Sequence, residues 1–461
     1  MHITKEKFNK SMEKKNYMTN ITTKKEILNI AKKEKIIFVR LQFVDILGLP
    51  KNIVIPASRL EEALDNGIPF DASSVAGYAT IEESDKIAKP DLKSFVVLPE
   101  SIEKRKTARL ICDIYEPSGK RFLGDCKYVL ERVVKQAKKM GYIYNTGPEC
   151  EFFLFKKDGD ASTLNPNDSA GYFDLSHRDL AEGVRADISL ALDAFGIKTY
   201  TSHHEVSAGQ HEINFQYADA LTTADRVITL KYVTKVIARK HELHASFMPK
   251  PLFGLNGSGM HTHLSLFSKK GKNTFYDSKD KNQLSPLAKY FIGGLLKHIK
   301  EITVILNPTV NSYKRLVPGF EAPTYISWAN RNRSALIRIP TGRGSGARCE
   351  LRSPDLSGNP YLQFAVMLAA GLKGIKDKEF PPKPVERNIY ELSKKEMKKH
   401  NIHHLPESLG HALSFMETSK ILREVLGEHI FNNFIHVKRS EWNNYRTQIT
   451  PWEIERYLEI L

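Results

Sequence analysis

The chain has 461 residues, too many for one ordinary core, so two or three domains are expected. Hydrophobic residues make up 41 %, enough for a sizeable interior, but no stretch is long and apolar enough to span a bilayer and the N-terminus lacks an apolar secretory segment. Sixty-nine Lys and Arg against 53 Asp and Glu give a net charge of +16, while four cysteines without paired spacing exclude a disulfide scaffold or a thiolate metal site.

Part of the charge is local. Residues 1–35 hold ten lysines against four acidic residues, and 1–23 read as a Lys-rich, solvated extension. The remainder is dispersed, with no nucleic-acid motif to concentrate it, and an anionic nucleotide substrate accounts for part of it. No membrane or nucleic-acid partner is expected, and cysteine usage points to a reducing cytoplasm.

Along the chain, KKEILNIAKKEK (24–35) has helical apolar spacing. IIFVRLQFVDILGLPKNIVIP reads as a β-hairpin broken at Gly48 and Pro50, and residues 108–117 as a further strand. These predict a small α+β domain over 24–120, followed by a larger domain over 121–461. GDCKYVLERVVKQAKKMG (124–141) predicts an amphipathic helix stopped by Gly141. Strands then dominate through residue 268, with helices near 178–196 and 222–243. Further helices are expected at 285–305, at 359–376 and toward the C-terminus.

Four strand-like segments interrupt apolar runs with acids, histidines or arginines. GPECEFFLF puts Glu149 and Glu151 two apart, on one face of a strand, with Cys150, Phe152 and Leu154 on the other. Two buried like charges repel unless a cation lies between them. HHEVSAGQHEINF supplies Glu205 and Glu212 around a Ser-Ala-Gly turn; SGMHTHLSLF supplies His261 and His263; GSGARCELRSPD alternates Arg348, Glu350 and Arg352. A shared polar cavity explains all four better than four solvated strands. Five carboxylates and a histidine, with no thiolate, favour Mg²⁺ or Mn²⁺ over zinc. Such ions, with the arginines of NSYKRLVPGFEAP and WANRNRSALIRIP, suit transfer of a phosphoryl group from a nucleotide. No Walker lysine loop is present, so the nucleotide site is not of the P-loop kind.

The ordered motifs FDASS…IEESD, GPECEFFLF, HHEVSAGQHE, NGSGMHTHLSLF, NSYKRLVPGFEAP and ARCELRSPD…NPY resemble those of type-I glutamine synthetases, over residues 24–461. The resemblance implies an α+β fold: a small β-grasp-like N-terminal domain and a large catalytic domain on a curved antiparallel sheet. It implies ATP-dependent condensation of glutamate with ammonia through γ-glutamyl phosphate, with two or three Mg²⁺ or Mn²⁺ ions per site. Glu151, Glu205 and Glu212 match the tighter metal site; Glu149, His261 and Glu350 match the second. Asn256, Gly257, His261, Arg315, Glu321 and Arg352 match positions that bind glutamate, Glu321 being the flap residue. Tyr217, His263, Ser265, Arg333 and Arg338 match positions around ATP and the phosphoryl intermediate. Asp45 and Asp71 match aspartates that reach a neighbouring subunit's site, and Tyr172 an aromatic near the ammonium pocket. Two stacked hexameric rings are the implied assembly, and a PII-type or other small regulatory protein the implied partner.

The chain departs from that pattern in places. Tyr200 stands where relatives often carry a glutamate that contacts nucleotide, and Ala76 and Thr80 stand where regulated relatives carry Glu and Arg. The short segment after GPECEFFLF lacks the insertion of the adenylylated subtype, although Tyr390 occupies the place of its modified tyrosine. An α-type, unadenylylated enzyme is expected.

Overall fold

A computed structural model describes residues 23–79 and 83–461. The Lys-rich extension before Thr23, and Thr80, lie outside the described residues. The first helix, Lys24–Lys33, starts at a capping box: the Thr23 hydroxyl accepts from Glu26 N while the Glu26 carboxylate accepts from Thr23 N. It covers a six-stranded sheet ordered Pro50–Pro56, Phe38–Val44, Thr107–Tyr115, Asp85–Pro90 and Ile68–Asp71, with Val96–Val97 also on Thr107–Tyr115. The hairpin Phe38–Val44/Pro50–Pro56 is antiparallel, whereas Phe38–Val44 and Thr107–Tyr115 run parallel.

The second sheet has ten strands, built around the 17-residue strand Tyr142–Asp158. On one side of this spine lie Thr262–Ser268, Cys349–Leu351, Ile337–Ile339 and Trp328–Asn330; on the other lie Gln210–Phe215 and Thr199–His204. All these pairs are antiparallel except Trp328–Asn330 with Ile337–Ile339. A spine this long exceeds a typical strand, so successive segments recruit different partners.

Period-two alternation sorts the two faces of the spine. Cys150, Phe152 and Leu154 are fully buried in the core behind the sheet, while Glu149 and Glu151 point the other way. That core is closed by helices Cys126–Lys139, Glu182–Ala194, Ala220–Lys240, Pro286–Leu306 and Pro360–Asp377. Gly294 and Gly374 let two of these helices touch backbone to backbone: a Cβ at Gly374 would lie 2.5 Å from Gly294 Cα. Val44, Ile46, Val96, Leu98 and Ile102 of the first sheet region also enter this larger core. The two sheets therefore share an apolar seam.

Candidate active site

The spine strand brings the acids together by register. Glu151 lies directly opposite Glu212, Glu149 opposite Asn214, and His263 between Gly147 and Glu350. Side chains directly across an antiparallel ladder are close neighbours, so Glu151 and Glu212 place like charges side by side. A turn after Thr199–His204 adds Glu205, and Gly209 permits its tight return: φ there is +66°, and a Cβ would meet Leu154 O at 2.8 Å.

Two cavities open on this face. One, of about 220 Å³, is walled by Glu149, Glu151, Glu205, Glu212, His261 and Glu350, with Arg315, Arg333, Arg338 and Arg352 opposite. The other, of about 410 Å³, is lined by Tyr200, Tyr217, His263, Ser265 and Arg348. Glu149 lines both, so the cavities meet at its carboxylate. Asn256, Gly257, Tyr172, Phe320 and Glu321 complete the smaller cavity. Asp45 and Asp71 line neither. Asp45 is buried, accepts from Leu47 N and Leu49 N, and pairs with Lys51 Nζ at 3.2 Å; Asp71 accepts from Ser73 N.

Glu149 sits between two imidazoles, with His261 Nδ1 at 3.1 Å and His263 Nε2 at 2.9 Å. Burial opposes its charge, but the two histidine hydrogen bonds hold its carboxyl below the usual range. Arg348 Nε donates to the far nitrogen of His263 at 3.2 Å. Glu350 is fully buried between Arg338 and Arg352; burial is again outweighed, chiefly by Arg352. Glu212 differs. Burial pushes its carboxyl well up, and Glu149, Glu151 and Glu205 add repulsion. Glu151 is also raised, by burial first, with Glu205 adding repulsion against the pull of His261.

A site that raises two carboxyls by burial and mutual repulsion suits divalent cations, which remove that cost. The donors are all oxygen and imidazole, so they fit Mg²⁺ or Mn²⁺. Two groupings have ligand atoms within 4.8 Å: Glu149, His261 and Glu350, and His203, Glu205 and Glu212. The sequence pointed to Glu151 rather than His203 beside Glu205 and Glu212. His203 Nε2 donates to Glu205 Oε1 at 2.9 Å, whereas Glu151 accepts from Gly259 N and Gln210 Nε2 at 2.9 and 3.1 Å.

Asp168, His204 and His211 form a third cluster, but not a cation site. Their ring nitrogens are all hydrogen-bonded, and Arg185 NH1 lies 3.0 Å from His211 Nδ1, where it would repel an ion. Burial opposes charge on His204, yet Asp168 and the Glu205 carbonyl at its two nitrogens raise its pKa; burial and Arg185 lower that of His211.

Arg315 is buried and donates to the carbonyls of Ser353 and Arg352 at 2.7 and 3.2 Å. Gly259 makes room for it, since a Cβ there would lie 2.3 Å from Arg315 NH2. Arg338 Nε and Arg352 Nε are buried without a hydrogen-bond partner among the described residues. Sequence reasoning missed Gln210 and Asp168. Gln210 was legible from its place two residues before Glu212 on one strand face; Asp168 lies in a loop whose pattern carries no such signal.

A curled ten-stranded sheet with acids and arginines around paired cavities, preceded by a smaller mixed sheet, defines a two-domain phosphoryl-transferring ligase. The glutamine synthetase catalytic-domain family matches residues 123–457, and the glutamine synthetase beta-Grasp family matches 35–117. The chain belongs to the glutamine synthetase family, and so is an ATP-dependent ligase of glutamate and ammonia that uses divalent metal. It is 52 % identical to the glutamine synthetase of Clostridium saccharobutylicum over 437 residues, 95 % of this chain and 98 % of the relative. It is also 52 % identical to that of Thermus thermophilus over 442 residues, 95 % and 99 % of the two chains. Among solved structures, a GmaS/ADP complex superposes with TM-score 0.86 at 34 % identity, covering 94 % of this chain and 99 % of that one. Plasmodium falciparum glutamine synthetase superposes with TM-score 0.85 at 27 % identity, covering 95 % and 99 %.

Proposed function

We propose that the larger cavity holds ATP, the smaller holds glutamate, and the phosphoryl group crosses between them at Glu149. The junction of both cavities on that carboxylate carries the reading. A glutamate side-chain oxygen attacks the γ-phosphorus, the bond to the β,γ-bridging oxygen breaks, and ADP leaves. Ammonia nitrogen then attacks the acyl carbon of γ-glutamyl phosphate, the C–O bond breaks, and inorganic phosphate departs. A carboxylate has no leaving group of its own, which is why the first step is required.

Glu149, His261 and Glu350 would hold one cation and Glu205 and Glu212, with Glu151 and His203 beside them, another; two or three Mg²⁺ or Mn²⁺ ions per site would neutralise the phosphates. Arg333 and Arg338 stabilise charge on the transferring group, while Arg352 orients glutamate. Asn256, Gly257 and Arg315 shape the glutamate end. Tyr217, His263 and Ser265 border the nucleotide, and Tyr200 supplies a ring where relatives often carry an acid. Glu321 closes the smaller cavity, where Asn256 Nδ2 donates to its Oε2 at 3.2 Å.

We assign Asp45 and Asp71 to a neighbouring subunit's ammonium site, within a dodecamer of two hexameric rings. Their place outside both cavities of their own chain supports this. The β-grasp-like domain is taken as 24–120 and the catalytic domain as 121–461, after an extension over 1–23. Four free, buried cysteines support a cytoplasmic setting. Among the described residues no helix is long and apolar enough to cross a membrane. The testing experiment is phosphate release coupled to a panel of amines. Ammonium should be the preferred acceptor, and faster turnover with a larger amine would overturn the choice.

A further inference from the structure

The turn between His204 and Gly209 carries Glu205 and leads into Glu212, yet none of its own backbone belongs to a helix. What holds it lies behind the sheet. The Asp168 side chain is 1 % exposed and takes five donors. Its Oδ1 accepts from His204 Nε2 at 2.9 Å, Gly209 N at 3.1 Å and Ala170 N at 3.4 Å; its Oδ2 accepts from Asn167 Nδ2 at 2.8 Å and Leu180 N at 3.2 Å. One oxygen thus binds both ends of the turn. His204 carries the connection forward, since its Nδ1 donates to the Glu205 carbonyl at 2.7 Å. Asn167 carries it backward, accepting from His211 Nε2 at 3.2 Å, and His211 Nδ1 accepts from Arg185, itself paired with Asp179.

We propose that Asp168 is a positioning residue for the divalent-cation site at Glu205 and Glu212, fixing through His204 and Gly209 the turn that presents them. This rests on the cation reading of that cluster. A buried carboxylate with both oxygens saturated by donors is a rigid anchor, and a histidine bridging it to a ligand-bearing backbone transmits that rigidity. The sites differ in their support: Glu149 and Glu350 stand on paired strands and His261 directly precedes a third, its carbonyl accepting from Glu149 N at 2.9 Å, whereas Glu205 stands on the turn alone. Loss of Asp168 therefore acts on one site and spares the other.

The test is Mn²⁺ titration of the full-length protein, without nucleotide, followed by electron paramagnetic resonance of free Mn²⁺. Asp168→Asn should weaken one class of site about 10–100-fold and leave the other within about twofold. Turnover should recover at saturating Mn²⁺, with KM for glutamate unchanged. His204→Gln, which removes the donor to the Glu205 carbonyl, should reproduce the selective loss and decides the matter if Asp168→Asn does not fold. Unchanged Mn²⁺ binding in a folded variant, or equal weakening of both classes, overturns the proposal. Glu212→Gln is the control: if it too binds Mn²⁺ as the wild type does, the cation reading itself fails. If it loses a site while Asp168→Asn does not, only the anchoring role fails.

Discussion

Arg338 and Glu350 stand opposite one another in the ladder, and Arg338 NH1 donates to Glu350 Oε2 at 2.6 Å. Arg352 NH1 donates to the other oxygen at 2.6 Å, so the fully buried carboxylate is bracketed by two guanidinium groups while His261 Nδ1 lies 3.8 Å away. Burying one anion with two cations leaves net positive charge beside the cavity, which Arg338 and Arg352 both line. Arg338→Lys keeps the charge but loses the planar fork. Turnover should fall about 10²–10³-fold with KM for glutamate little changed, because the lost donor serves the transferring group. Steady-state kinetics at saturating ATP check this; an equal rise in KM would place Arg338 in substrate binding instead.

Glu321 has φ of 54°, a left-handed conformation that a residue with a Cβ adopts at a cost of about 1–2 kcal/mol. It is exposed, and its contact within the site is Asn256. Glycine would be the better residue for the backbone alone. Glu321→Gly should therefore leave the melting temperature unchanged or higher while glutamine formation collapses, and Glu321→Ala should abolish synthesis without altering the size of the assembly. Melting curves, size-exclusion chromatography and product assay together test this. Retained synthesis in Glu321→Ala would remove the closing role.

Much of this site was legible in the sequence because strands write their faces with period two. Glu149 and Glu151 fall on the opposite face from Cys150, Phe152 and Leu154 by alternation alone, and Glu350 from Cys349 likewise. What alternation cannot give is which strands become neighbours. The pairing of Glu151 with Glu212, and the meeting of His203 with Glu205, depend on register across a turn whose return is fixed by Gly209 and Asp168. A change of pattern near residue 120 was legible. The apolar seam was not: Val44, Ile46 and Leu98 read as ordinary strand residues, and only packing shows that they enter the larger core.

The raised carboxyls set a pH dependence whose sign changes with metal. Burial and three neighbouring carboxylates push Glu212 well above its ordinary 4.5. Without cation, the folded chain holds that proton more tightly than the unfolded chain, so stability is retained below about pH 4.5 and lost as pH rises toward the folded value. A bound divalent cation reverses the preference. Chelator should therefore destabilise the enzyme more at pH 8 than at pH 5, and ion at a hundred times its Kd should add about 2.7 kcal/mol at pH 8. Glu212→Gln should flatten the chelator-dependent difference. Melting at both pH values, with and without chelator, measures it.

Lys231 offers a test of the core rather than the site. Its ammonium is buried behind the spine strand, donates to Leu356 O at 2.7 Å, and lies 6.0 Å from the Phe247 ring centre. Burial, with Lys235 adding repulsion, lowers its pKa from 10.5 to about 8. The unfolded chain thus holds this proton more tightly, and folding is penalised by about 3 kcal/mol at every pH below 8. The penalty fades as pH rises from 8 to 10.5. Lys231→Met removes it, but also removes a hydrogen bond contributing about 1 kcal/mol. The variant should be more stable than the wild type by about 2 kcal/mol at pH 7, with the gap closing and then changing sign by pH 10.5. Denaturant titrations at pH 7, 8, 9 and 10 measure the gap directly. A constant gap would mean that the lysine keeps its ordinary pKa in the fold and is charged on both sides of the transition.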